Sequence, residues 1–128
     1  KVIFKGYVPP HELDGITQKA CIGITLFIAT SGNNKLSLAN RFFDYMQAGV
    51  PQIAMNYPEY GAINTNNEVA HLIDAPNENT IAKALNELLN NETYYRKLHN
   101  NSLEAKQIYC WENEEEVLLN IYKNLFHD

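Results

Sequence analysis

Ile22-Gly23-Ile24-Thr25-Leu26-Phe27-Ile28 is rich in β-branched residues and almost unbroken in hydrophobicity, and a polar loop, Thr30-Ser31-Gly32-Asn33-Asn34-Lys35-Leu36-Ser37-Leu38, follows it. A run that is apolar on both sides of the pleat has to be buried on both, as in the middle of a parallel sheet. Where the loop ends, the spacing changes: Phe42, Tyr45, Met46 and Gly49 stand at i, i+3, i+4 and i+7, the period of a helix with one buried face. The pattern predicts a helix over Leu38 to Ala48, with Ser37 as its N-cap and Gly49 and Pro51 as its stop. Strand, loop and helix in that order make half of a βαβ unit.

Reading outward, short apolar runs alternate with helical stretches. Val2-Ile3-Phe4 is a predicted strand, closed by Gly6 and the turn Pro9-Pro10, and His11 to Lys19 a short helix. Val50 to Met55 and Val69 to Ile73 give two further strands, with a turn and short helix over Pro58 to Asn67 between them. From Asn77 the chain reads as helix. One stripe carries Ile81, Leu85, Leu88 and Leu89 up to Asn90-Asn91, and a second carries Tyr95, Leu98, Ser102, Ala105 and Tyr109. Asn113-Glu114-Glu115-Glu116 has the form of a capping box opening a last helix with Val117, Leu118, Ile121, Tyr122 and Leu125. The expected fold is α/β: a Rossmann-like three-layer domain with a mostly parallel sheet of about four strands and a C-terminal helical tail. Its first residues read as a strand already under way, without an initiator Met or signal peptide, so the expectation is a piece of a longer chain.

Composition narrows the function. The 128 residues are 45% hydrophobic and 20% charged, which suits one globular domain. A net charge of −5 with no Lys/Arg cluster argues against a nucleic-acid partner. Cys21 and Cys110 are far apart in apolar settings, read as inert core thiols in a reducing cytosol. The longest apolar run, Cys21 to Ala29, is too short to span a bilayer.

In an open parallel sheet, ligands bind off the carboxyl ends of the strands, which selects the loops after Phe4, Ile28 and Met55. The loop after Ile28 delivers a helix N-terminus whose free N–H groups around Leu38, Ala39 and Asn40 suit an anion such as a diphosphate. Asn40, Arg41 and Asp44 share one helix face, and a carboxylate there matches the paired hydroxyls of a ribose. The plain alternatives are an ordinary βα connection and an exposed Arg41–Asp44 pair. Tyr57, Glu59 and Tyr60 follow a strand on the cleft side, within reach of a ligand bound there. His71 reads as a hydrogen-bonded structural residue.

The stretch Asn40-Arg41-Phe42-Phe43-Asp44-Tyr45-Met46-Gln47-Ala48-Gly49-Val50-Pro51-Gln52-Ile53-Ala54 resembles the signature of retaining, two-Rossmann-domain (GT-B) glycosyltransferases, the glycosyl transferases group 1 family, usually K-x-F-E-Y-M-A-A-G-x-P-V-I-A. Val2 to Val8, Ile22-Gly23-Ile24 and Tyr109-Cys110-Trp111-Glu112 resemble supporting elements of the same family. The resemblance implies transfer of a sugar from a nucleotide-diphosphate donor, with no cofactor and no metal. It places Asp44 on the ribose, Arg41 near the phosphates, Ala39 and Asn40 with their amides on the diphosphate, and Gly6 in a loop lining the donor cleft. Leu36 stands where many members carry a second acid, so contacts to the transferred sugar fall to Asn33, Asn34 or Lys35, or come from elsewhere.

By the same resemblance, residues 1–128 are the C-terminal, donor-binding domain, and the acceptor-binding N-terminal domain with the family's basic pair would lie upstream of Lys1. The implied partners are the nucleotide sugar, that missing domain, and an acceptor saccharide or lipid-linked glycan. The implied setting is cytoplasmic cell-surface polysaccharide or glycoconjugate synthesis, peripheral association with the inner face of the membrane being compatible with it. Such chemistry relies on a helix dipole and basic side chains at the leaving diphosphate. It needs two domains closing to expel water, so the chain alone is expected to show no turnover. The competing reading is a non-catalytic nucleotide- or sugar-phosphate-binding module. A receiver-like signalling domain would need acids after its first and third strands, and Phe4 and Ile28 are not followed by any.

Overall fold

A computed structural model describes residues 2–126. Its sheet has three parallel strands, β1 (Gly23–Thr25), β2 (Gln52–Met55) and β3 (Ala70–Ile73), in the order β1-β2-β3. Ile53 pairs with Ile24 on one side and His71 on the other. Around the sheet lie α1 (Pro10–Thr17), α2 (Gly32–Lys35), α3 (Asn40–Gln47), α4 (Pro58–Asn66), α5 (Glu78–Asn90), α6 (Glu92–Ala105) and α7 (Trp111–Phe126). All four residues of β2 are buried, as expected of a central parallel strand covered on both faces.

Alternation along the strands sorts the core into two clusters. Ala54 and Ala70 face Phe42 and Met46 of α3 and Tyr60 and Ile63 of α4. Ile53, Met55 and Ile73 face Ala84 and Leu88 of α5 and Leu98 of α6. The polar member of β2, Gln52, is fully buried; its Nε2 donates to Phe42 O at 2.9 Å and its Oε1 accepts from Thr25 Oγ1 at 3.0 Å.

Two glycines let α3 approach the sheet. Gly49 has φ +67°, and around it Val50 N–H donates to Tyr45 O and Gly49 N–H to Met46 O. That pair of bonds is a Schellman stop, which turns the chain directly into β2. Gly23 lies under the Tyr45 ring, where a Cβ would come within 2.5 Å of ring carbons.

The expected fourth strand does not form. Val2, Ile3 and Phe4 are 79%, 70% and 93% exposed. Among the described residues, 2–8 make no main-chain hydrogen bond to the sheet. Three residues that stay this exposed bury too little to hold an extended ladder against either outer edge of the sheet. The strand expected over 22–28 is also shorter, because the ladder to β2 covers only Gly23–Thr25. Beyond it the Tyr57 hydroxyl takes over, accepting from Ala29 N–H at 2.9 Å and donating to Phe27 O at 3.0 Å.

Ser37 is not the N-cap of α3. Ala39 occupies that place and Ser37 Oγ donates to Asn34 O, closing α2. Asn113 is not a cap either: it lies inside the first turn of α7, and its Nδ2 donates to Gln107 O and Ile108 O. Asn91 ends α5 as expected, and it also caps α6 by accepting from Tyr94 N–H. Cys21 is exposed and Cys110 only partly buried, so neither is a core thiol. His71 Nδ1 is buried without a hydrogen-bond partner, against the expectation of a satisfied histidine. No residue of α7 is buried, and Val117, Leu118, Ile121, Tyr122 and Leu125 all stand in the open.

Two outcomes test this packing. Gly23→Ala drives a methyl into the Tyr45 ring and should destabilise the chain by about 1–3 kcal/mol in urea unfolding; in a Tyr45→Ala background the added cost should largely vanish. Truncating the chain after Glu116 removes the end of α7, where no residue from Val117 to Phe126 is buried. It should shift Tm by no more than about 2 °C while lowering binding of a hydrophobic dye.

Candidate functional site

The connection that follows β1 is tied down by two tyrosines of the segment after β2. Tyr57 holds Phe27 and Ala29, and fully buried Tyr60 accepts the Ala39 N–H at 2.8 Å. Both hydroxyls are thereby engaged in positioning the chain. Glu59 stays exposed in the first turn of α4.

These ties set the N-terminus of α3. Its preceding amide, Ala39, is engaged by Tyr60, and Phe42 N–H closes back on Ala39 O at 2.9 Å. The open donors of the first turn are therefore the amides of Asn40 and Arg41, which precede the first possible intrahelical bond. Of the amides expected on a diphosphate, the one at Asn40 remains available and the one at Ala39 is occupied.

Asn40 and Asp44, one helical turn apart, line a groove of about 840 Å3 together with Phe43, Tyr109, Trp111 and Glu114. Its volume lies in the range of small-molecule sites, and it combines an apolar aromatic wall with a few polar groups. The Asp44 carboxyl is pushed above the usual carboxylate range of 3.8, first by partial desolvation and then by Asp14 of α1, with the Arg41 guanidinium pulling it back. Asp14 and Asp44 also border a smaller cavity of about 310 Å3 between α1 and α3. A carboxylate facing a second carboxylate is under strain that hydroxyl donors from a ligand would relieve.

The other expected contacts lie apart from this groove. Asn33, Asn34 and Lys35 form α2, where Ser31 Oγ accepts from Asn34 N–H at 3.3 Å and Asn34 Nδ2 reaches Thr30 Oγ1 at 3.5 Å. Gly6 has φ +70° and open space around it. Sequence reasoning missed that Phe43, Tyr109 and Trp111 wall the groove. The signal for Phe43 was available, since it precedes Asp44 on the exposed side of α3. Tyr109 and Trp111 come from the α6–α7 corner, brought over by Gln47 Nε2 donating to Tyr109 O, and no local pattern announces that.

Among the described residues, no group of three His, Cys, Asp or Glu side chains could hold a metal ion. Nor is any described helix long and apolar enough to cross a membrane. No curated protein and no solved structure matches the chain. The family model for glycosyl transferases group 1 does match, over residues 1–105. That span takes in the sheet, α3 and every expected contact residue, and the chain belongs to the glycosyl transferases group 1 family.

Proposed function

We propose that the groove along α3 binds the nucleoside diphosphate of a sugar donor, and that the chain supplies the donor side of a retaining, metal-independent glycosyltransferase. The observation that carries this reading is the meeting of Asn40, Asp44, Tyr109 and Trp111 on one groove at the start of a helix with open amides. In this reading the Asn40 and Arg41 amides, with the Arg41 cation, take the diphosphate. Asp44 accepts both ribose hydroxyls. The base lies on the aromatic wall, and Gly6 and α2 approach the transferred sugar. The leaving diphosphate gains charge as the glycosidic bond breaks, and the dipole of α3 and Arg41 stabilise that charge without a bound cation. Family membership supports cytoplasmic synthesis of a polysaccharide or glycoconjugate as the setting.

Asn40, Arg41 and Asp44 are all exposed, whereas transfer to a sugar rather than to water requires a closed, dry site. The chain alone is therefore proposed to bind donor without turning it over. A non-catalytic binding module would behave the same in this assay and is separated from it by transfer once an acceptor-binding domain is supplied.

Trp111 is the single tryptophan of the chain, so its fluorescence reports occupancy directly. Titration with UDP-, GDP- and ADP-sugars should give saturable quenching with one of the three nucleotides. Asp44→Ala should weaken that binding about tenfold or more, the scale of hydrogen bonds to a charged acceptor, while Asp44→Glu, the family's usual acid, retains it. No fluorescence response to any of the three, or an unchanged affinity in Asp44→Ala, overturns the assignment.

The raised Asp44 pKa adds a sign. The folded state holds the Asp44 proton more tightly than the unfolded chain, so the carboxylate costs stability above its folded pKa and nothing below the ordinary value of 3.8. Asp44→Asn should raise Tm at pH 7 by about 1–2 °C, small because the group is exposed. That gain should disappear in melts near pH 3. Donor affinity runs the other way, strengthening as pH rises through the Asp44 pKa, because the ribose hydroxyls donate to the ionised form.

A further inference from the structure

Beside the free edge of β3 lies a second cavity of about 580 Å3, between that strand, α5 and the first turn of α6, sharing no residue with the α3 groove. In a parallel ladder, alternate residues turn their main-chain groups toward and away from the neighbouring strand. Asn56 N–H donates to Ile73 O at 2.8 Å, which turns Ile73 toward β2 and its neighbour Leu72 toward the open edge. Upstream the same edge is closed by Asn64, whose Oδ1 accepts from Val69 and Ala70 N–H and whose Nδ2 donates to Ala70 O. At Leu72 that cover ends, leaving a main-chain donor and acceptor at the cavity.

The side chains there also keep unused capacity. His71 Nδ1 is buried with no partner among the described residues. Lys83 forms no salt bridge among them. One oxygen of Asp74 accepts from Asn56 Nδ2 and one of Glu87 from Asn91 Nδ2, so each carboxylate has its second oxygen to offer. Tyr94 stands edge-on to His71 at 5.9 Å, its hydroxyl held by Glu68. Burial and Glu68 push that phenol up to about 12, so the ring stays neutral and fixed.

Two carboxylates against one ammonium leave the cavity acidic on balance, which disfavours phosphates and carboxylates. A hydroxyl, by contrast, both donates and accepts, and so can use Lys83, the Leu72 N–H and C=O, Asp74 and Glu87 in turn. We propose that this cavity is a binding site for an uncharged saccharide, separate from the donor groove, with the Tyr94 ring as the flat wall for the apolar face of a pyranose. The site stands on its own geometry and does not depend on the reading of Asp44.

Saturation-transfer NMR on the full 128-residue chain tests it, using glucose, galactose and N-acetylglucosamine and their disaccharides maltose, lactose and chitobiose as probes. At least one probe should receive saturation, with amide shifts at Leu72, Lys83, Glu87 and Tyr94. A disaccharide that binds better than its monosaccharide marks a site for a glycan chain, and equal binding marks one for free sugar. Lys83→Ala and Glu87→Gln lie on the exposed side of α5 and spare the core, and each should weaken the response about tenfold. Quenching of Trp111 by whichever nucleotide sugar gives it in the unchanged chain should be unaffected in both variants. No saturation from any probe, shifts confined to Asn40 and Asp44, or full binding by Lys83→Ala and Glu87→Gln overturns the proposal.

Discussion

The buried amide of Gln52 fixes the relation between sheet and helix on which the rest depends. It joins three elements at once, accepting a hydrogen bond from the Thr25 hydroxyl of β1 and donating one to the Phe42 carbonyl of α3, from its own place in β2. Buried polar groups persist only when their bonds are made, and a half-satisfied amide in this position would cost about 1–3 kcal/mol. The geometry therefore has one solution: α3 lies where Phe42 O meets Gln52. Gly23 allows the Tyr45 ring to come down onto β1, and the Schellman stop at Gly49 returns the chain into β2. With α3 so placed, its first turn points out at the carboxyl ends of the strands, where Tyr60 fixes the incoming chain. The groove beside Asp44 follows from packing that has nothing to do with ligands.

Much of this was legible in the residues. The apolar run at 22–28, the helical spacing after it, and the Gly49-Val50-Pro51 stop are local signals, and the structure holds a strand and a helix where they fall. Other features depended on partners distant in sequence. Ser37 looks like a cap because it is a serine before a periodic stretch, yet a tyrosine after the next strand satisfies Ala39, so the cap is tertiary. Asn113 and the three glutamates have the letters of a capping box, but Trp111 begins the helix and Asn113 bonds backward to the end of α6. Val2–Phe4 has strand composition, yet it pairs with neither outer edge of the sheet. The expected acid, Asp44, could be singled out from spacing and resemblance. Its aromatic wall could not, because Tyr109 and Trp111 reach it only through the fold of the α6–α7 corner.

Stability and exposure divide the molecule in a way that suits a binding role. The residues that hold it together, from Phe42 and Met46 to Ile53, Tyr60 and Leu98, are fully buried. Those that would meet a donor are exposed, and one of them, Asp44, is carried at a raised pKa beside a second acid. Groups kept in an unfavourable electrostatic setting by a scaffold that is stable without them are characteristic of functional positions. The apolar face of α7 is different in kind. It is continuous with no core cluster, and its first turns are strongly acidic.

Under the proposed reading, diphosphate binding by an acidic chain needs an explanation, since a net charge of −5 repels such a ligand at long range. Nothing in the composition supplies a basic field, and Asp14 and Asp44 make the neighbourhood of α3 more negative still. Attraction must therefore be local. Open amides at a helix start act over one hydrogen-bond length, a guanidinium at the second helical position acts over little more, and an aromatic wall acts through contact area alone. All three are short-range and weakly screened, whereas the repulsion is long-range and screened within about 8–10 Å at physiological salt. Binding of this kind tolerates salt and selects by shape. In the proposed reading Asp44 both opposes the phosphates and accepts the ribose, so the same carboxylate that slows the approach of a bare phosphate would favour a nucleotide over it.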